Sequence, residues 1–364
     1  MNLPSLRSDL VELGLNEEGG QLWPVRFKFG NDWLEPMHKA HWDGEPLPED
    51  MPPMLRNLRG DFFCAPFGAN DLEPSETRPH GATANAKWNL TSSSETRLEL
   101  ELSEPVLGAR VSKRVHIQPG EPVVYQEHRF EGGMGRLPLG HHAMLRADEP
   151  LLLGFSEWDW GGTPSEPIES DSTRGRSSLM YPQEFNSLER ARVANGIFVD
   201  LTTYPSLERS EELLMLVAKP EFEFAWSAAT NQAAGWVWFA LKDPKVLRGT
   251  VLWMSNGGRD YPPFSSRHTN VIGIEEVTSN FHLGHRASNQ PNWLNALGIP
   301  TTLELQAAKT LEVRYVFGTI PTTPEFGRVS SIRRVSDGVE LEDESGNCIR
   351  TKVDLNFIVQ GDET

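Results

Sequence analysis

Residues Leu58–Leu90 read LRGDFFCAPFGANDLEPSETRPHGATANAKWNL. Arg59 precedes a Gly-Asp turn, an apolar run follows and ends on Pro66-Phe67-Gly68, and His80-Gly81 opens a segment that closes on Trp88. Two neighbouring short elements therefore carry a cation, an imidazole and flat aromatic faces. Hydroxyl-rich ligands such as sugars need that set, with polar groups for the hydroxyls and aromatic faces for the C–H surfaces.

Outward from this stretch the dominant pattern has period two. Leu98, Leu100 and Leu102 alternate with Arg97, Glu99 and Glu101, as in a half-buried strand. Pro122 to Phe130 predicts another strand. So do the alternating sets Leu213-Met215-Val217, Val251-Trp253 and Leu311-Val313-Tyr315-Phe317. Trp236 to Leu241 is apolar on both faces, as in a strand covered on each side. Ser336-Asp337-Gly338 and Glu344-Ser345-Gly346-Asn347 are hairpin turn signals. Helical periodicity is confined to Ser187–Ala194 and the first dozen residues. The 27 prolines and 31 glycines are spread along the chain and punctuate many short elements. The class predicted is all-β, a large sandwich with long loops, as a single domain over residues 1–364. The polar run Glu166–Ser178 is expected to act as a lid.

The 34 basic and 51 acidic residues leave a net charge of −17, which argues against nucleic acid and anionic membrane as partners. The two cysteines, Cys64 and Cys348, form no C-x-x-C pair, and the N-terminus lacks a basic start before an apolar core. A cytoplasmic location with free thiols is the expectation. His38/His41 and His282/His285 have i, i+3 spacing without a His-Glu-x-x-His motif, so no metal is expected. Glycine-rich nucleotide loops are absent, and so is a Gly-x-Ser-x-Gly elbow.

Arg59-Gly60-Asp61, Ala65-Pro66-Phe67-Gly68, His80-Gly81-Ala82-Thr83-Ala84 and Trp88 together resemble the aldose 1-epimerase (galactose mutarotase-like) superfamily. Two later segments extend the resemblance in the family's order. Gly140-His141-His142-Ala143-Met144 resembles the family's strand-opening histidine, best with His142 as the equivalent. Gly273-Ile274-Glu275-Glu276-Val277-Thr278 resembles Gly-Ile-Glu-Pro-x-Thr, with Glu275 on the catalytic glutamate. Adjacent strand residues point to opposite faces, so only one of His141 and His142 faces a pocket.

The resemblance implies a large antiparallel β-supersandwich and a cofactor-free aldose 1-epimerase acting on a small-molecule sugar. In that reading Glu275 takes the anomeric proton, His142 gives one to the ring oxygen, and His80 and Arg59 hold hydroxyls or polarise the ring oxygen. Among the 11 tryptophans, Trp88, Trp158 and Trp160 are stacking candidates, with Asp159 and Glu157 as hydroxyl acceptors beside them. Asp61 is expected to tie up Arg59, Glu276 stands where the family has proline, and Asn85 replaces an arginine, which weakens a sugar-phosphate reading. The alternative is a non-catalytic carbohydrate-binding protein on the same fold. A third reading is a lyase or hydrolase on the same sandwich; a lyase would use a Tyr or Lys base, and Tyr181 and Tyr261 are the tyrosines to check.

Overall fold

The computed structural model describes residues 3–71 and 78–359. Two large antiparallel sheets face each other. The front sheet runs in the order Ser5–Arg7, Val11–Leu15, Leu22–Phe29, Asp61–Cys64, Leu139–Arg146, Val271–Thr278, Gly249–Asn256, Ser210–Ala218 and Trp158–Gly162, with Asp32–Leu34 added to Leu22–Phe29. The back sheet runs Thr203–Tyr204, Leu151–Phe155, Ala225–Asn231, Trp236–Lys242, Thr310–Pro321, Val123–Gly132, Ala109–His116, Arg97–Leu102 and Trp88–Ser93. A three-stranded sheet, Val329–Val335, Gly338–Asp343 and Cys348–Lys352, covers the outer face of the back sheet and is turned at the two expected hairpins.

Three cores follow from this layering. The largest lies between the sheets and takes alternate residues of each strand, such as Leu98, Leu100, Leu252, Ile272 and Phe317. A second packs between the back sheet and the three-stranded sheet. The third covers the outer face of the front sheet, where Phe62, Met144, Leu213, Trp253 and Val277 meet loop residues such as Trp42, Phe264 and Phe281. Trp236–Lys242, Ser210–Ala218 and Val271–Thr278 are buried at every position because both faces are covered. Each large apolar side chain so buried contributes roughly 1.5–3 kcal/mol.

Two local expectations are corrected. Where a helix is expected near the N-terminus, Ser5–Arg7 and Val11–Leu15 are strands, because Leu6, Val11 and Leu13 alternate into the inter-sheet core and the Ser8 hydroxyl accepts the N–H groups of Leu10 and Val11 in the turn between them. Ser187–Ala194 keeps one 3₁₀ turn, Leu188–Arg190, capped by Ser187. The chain then extends, since Ala191 and Val193 are both buried on alternate positions.

Candidate active site

Strand register brings the two most telling residues together. Gly140 pairs with Val277 and Ala143 with Ile274, so His142 sits opposite Glu275 on neighbouring central strands. Both side chains point to the outer face of the front sheet, and His142 Nε2 lies 3.3 Å from Glu275 Oε1. The imidazole stacks on Phe62 at 4.6 Å and meets Trp253 edge-on at 5.7 Å. The pair is sealed, at 4% and 2% exposure. Burial pushes the Glu275 carboxyl well above its ordinary range. Burial, helped by His80, pushes His142 well below its own. Both shifts favour the uncharged forms, a carboxylic acid against a neutral imidazole.

His80 completes the constellation, its ring centroid 5.1 Å from that of His142. It is half-buried, so solvent reaches His80 and stops short of the pair. Its position depends on a tight turn. The His80 N–H donates to Gly68 O at 2.7 Å, and both His80 and Gly81 have positive φ (62° and 70°). A Cβ on Gly81 would lie 2.2 Å from the Ala65 carbonyl oxygen. Asn85 closes the same turn by donating to Pro79 O and Gly81 O while accepting the Met54 N–H. Gly81→Ala should therefore cost about 1–3 kcal/mol and displace His80; urea denaturation and the His80 ring signals by NMR check this.

The comparisons with known proteins agree with this architecture. A candidate aldose 1-epimerase from Escherichia coli K12 superposes with a TM-score of 0.58 at 11% identity, over 88% of this chain and 99% of its own. A galactose mutarotase related enzyme from Lactobacillus acidophilus gives 0.51 at 12% identity, over 88% and 97%. A Synechocystis sp. PCC 6803 protein gives 0.53 at 12% identity, over 88% and 96%. The fold is galactose mutarotase-like. No protein-family model matches the sequence, and no curated protein matches it.

On this galactose mutarotase-like frame the other expected residues disperse. Arg59 does not join the pair. It is held by Asp43 at 2.5 Å and by the Asn57 carbonyl, and Asp61, its expected partner, faces the sheet interior instead. His141 points inward, 3.4 Å from Asp61 and stacked on Tyr315 at 4.2 Å. Trp88 is wholly buried in the inter-sheet core, its indole N–H donating to Thr83 O. Trp158, Asp159 and Trp160 lie on the edge strand of the front sheet. Trp158 packs on the inter-sheet core, Asp159 pairs with Arg248 at 3.0 Å, and Trp160 packs edge-on against Trp293 at 4.7 Å. Glu157 pairs with Lys219. The stretch 166–178 is strapped down by Arg176 to Asp260 and by the Gly175–Arg259 bridge.

Neither tyrosine is set up as a base. The Tyr181 hydroxyl donates to Glu212 at 2.8 Å, and Tyr261 lies under the Arg174 guanidinium. Burial raises the phenol of each.

The front face also holds polar residues that the motifs do not include. The Trp253 indole N–H donates to Glu211 at 2.5 Å, Ser255 bridges Glu211 (3.0 Å) and His268 Nδ1 (2.7 Å), and Arg259 lies between Glu211 (3.5 Å) and Glu169 (3.8 Å). His268 stacks on Trp253 at 5.4 Å. The only sequence signal for Glu211 and Ser255 is that each sits on an alternating strand in phase with an outward apolar set. His268 and Arg259 come from a loop that carries no periodicity.

Behind the pair, the inward faces of both sheets form a polar belt. Glu276 receives Ser227 at 2.5 Å and Thr250 at 2.7 Å and is ion-paired to Lys242. Gln126 donates to Asp61, and His128 stacks on Phe63 at 3.9 Å with neither ring nitrogen hydrogen-bonded. Burial, with Lys113 and His141 nearby, pushes His128 well below its usual value. As pH falls through the ordinary histidine range the unfolded chain therefore binds a proton that the folded chain resists, so this group lowers stability toward acid pH. Burial raises Glu211, Glu212 and Glu275, which act in the opposite sense, so the informative quantity is a difference. Between pH 6.5 and 4.5, wild type should lose more stability than His128→Leu in urea titrations.

Among the described residues, no group of three or more His, Cys, Asp or Glu side chains is placed to hold a metal ion. Among the same residues, no helix is long and apolar enough to cross a membrane. Cys64 is buried and Cys348 exposed, and both are free thiols.

Proposed function

We propose that the protein is an aldose 1-epimerase-like isomerase of the cytoplasm, interconverting the anomers of a small sugar by acid–base ring opening. The supporting observation is the register-matched His142–Glu275 contact with His80 beside it. Mutarotation needs one group to take the anomeric hydroxyl proton and another to give a proton to the ring oxygen, with the exchange reversed on closure. A carboxylic acid and a neutral imidazole meet that need without separating charge. The directions of the two shifts tilt the pair toward Glu275 as donor and His142 Nε2 as acceptor, the reverse of the assignment that family resemblance suggests. Each group would supply roughly 10²–10⁴-fold. The chemistry needs no cofactor.

A pyranose ring does not fit a gap of 3.3 Å. Turnover in this reading requires the loops over the front face to lift and the pair to part. The loss of Arg59 to Asp43 favours the second reading, a carbohydrate-binding protein without turnover. NMR saturation exchange between α- and β-anomers of glucose and galactose separates the two. Acceleration that vanishes in His142→Ala supports the isomerase. Sugar-dependent shifts without acceleration support the binder.

A further inference from the structure

The loop that joins Gly249–Asn256 to Val271–Thr278 has a fixed limb and a strap. The fixed limb is tied to the chain beside it. The Arg176 N–H donates to Gly258 O at 2.8 Å, the Asp260 N–H donates to Arg174 O at 2.7 Å, and the Arg176 guanidinium pairs with Asp260. The strap is the stretch 265–270. Arg267, Thr269 and Asn270 on it are exposed, while His268 is buried, at 2%. Both ends of the strap have positive φ, at Ser265 and Ser266 (47° and 56°) and at Asn270 (58°). L side chains rarely adopt that conformation, and it persists only where the surroundings hold it.

What His268 covers is a face of Trp253. The two rings are nearly parallel, at 17° and 5.4 Å between centroids. His268 Nδ1 is 2.7 Å from the Ser255 hydroxyl, which donates to Glu211 at 3.0 Å. The same indole meets His142 edge-on. One side chain of the strap therefore occupies an aromatic face and a hydroxyl beside the His142–Glu275 pair, and a ligand that is to use them must first displace it.

The strap is tied to the fixed limb by the Gly257 N–H to His268 O and the Ser266 N–H to Arg259 O, each at 2.7 Å, and by the Ser266 hydroxyl to Asp260. From outside, Arg267 grips Glu45 with two bonds of 2.9 and 3.0 Å, between side chains that are 52% and 41% exposed. Exposed pairs of this kind hold weakly and are screened by salt. A cleft of about 570 Å³, walled in part by Arg267, Thr269 and Asn270, leaves room for the strap to turn outward.

We propose that the stretch 265–270 is an autoinhibitory strap. His268 plugs the Trp253 face, and release of Arg267 from Glu45 lets the strap turn into the cleft and opens that face to a sugar. The ligand rests on the saccharide reading above, whereas the motion is tested without any sugar.

The first measurement is hydrogen–deuterium exchange on the full chain, beside diethyl pyrocarbonate labelling of His268. In Glu45→Gln the amides of 265–270 should exchange about two- to fivefold faster than in wild type, and His268 labelling should rise by the same factor. The central strand Trp236–Lys242 and the melting temperature should not change. Molar NaCl should speed the wild-type strap and have less effect on the variant. Strap amides that exchange no faster than Trp236–Lys242, or His268 labelling unmoved by Glu45→Gln, would overturn the proposal. Saturation-transfer NMR with D-glucose and D-galactose then reads the ligand. Removing the plug in His268→Ala and loosening it in Glu45→Gln should both tighten sugar binding, because the apparent affinity scales with the open fraction. Weaker binding in His268→Ala, with the fold intact by circular dichroism, would make His268 a ligand group and overturn the plug. A strap that opens as expected with no response to either sugar supports the strap and counts against the saccharide reading.

Discussion

Replacing Glu275 by Gln should reduce anomer exchange by about 10²–10⁴-fold while leaving the fold intact. The argument starts from burial. Glu275 is 2% exposed and burial shifts its carboxyl upward, toward the neutral acid, which has nearly the same shape as the amide. The substitution removes the transferable proton, keeps a hydrogen-bonding group beside His142 Nε2, and introduces no new buried charge. Stability should therefore move by less than about 1 kcal/mol. Exchange spectroscopy gives the rate and urea denaturation the stability. Loss of both together would mean that Glu275 is a structural group. Loss of neither would remove it from the chemistry.

The largest stability effect is expected on the other side of the same strand. Glu276 points inward and is ion-paired to Lys242, while Lys242 also donates to Gly249 O and Thr250 Oγ1 at 2.7 and 2.8 Å. Burial pulls the lysine's pKa down and Glu276 pulls it back up. Lys242→Met would leave a carboxylate in the inter-sheet core with only the Ser227 and Thr250 hydroxyls, and should cost about 3–5 kcal/mol. Adding Glu276→Leu should recover most of that loss, because a buried pair replaced by apolar groups is often neutral or stabilising. Denaturant midpoints of the two single variants and the double variant decide it. Equal losses in the single Lys242 variant and the double would show that the cost is packing rather than an unpaired charge.

Glu275 and Glu276 also show how far a linear reading reaches. The alternation of a strand requires the two to face opposite ways, but not which one faces the site. The apolar phase of the neighbouring strand, Val251 and Trp253 outward against Leu252 and Met254 inward, sets that. The same holds for His141 and His142. Only the pairing with Asp61–Cys64 places His142 beside Phe62 and His141 beside Phe63.

Period-two patterning, turn residues and scattered proline and glycine were enough by themselves to predict an all-β sandwich, because strand alternation is a local property that each short segment carries independently. The motif order was enough to single out His80, His142 and Glu275 as a set. Tertiary structure decided the rest. Arg59 turned to Asp43 because the positive-φ Gly60, packed against the Leu22 carbonyl, directs the chain there. Trp88 went into the core and Trp160 to an edge cluster because aromatic residues are placed by whichever surface remains uncovered. Glu211, Ser255, Arg259 and His268 met across Trp253 through side chains separated by up to 57 residues, from Glu211 to His268, a distance that no local pattern spans.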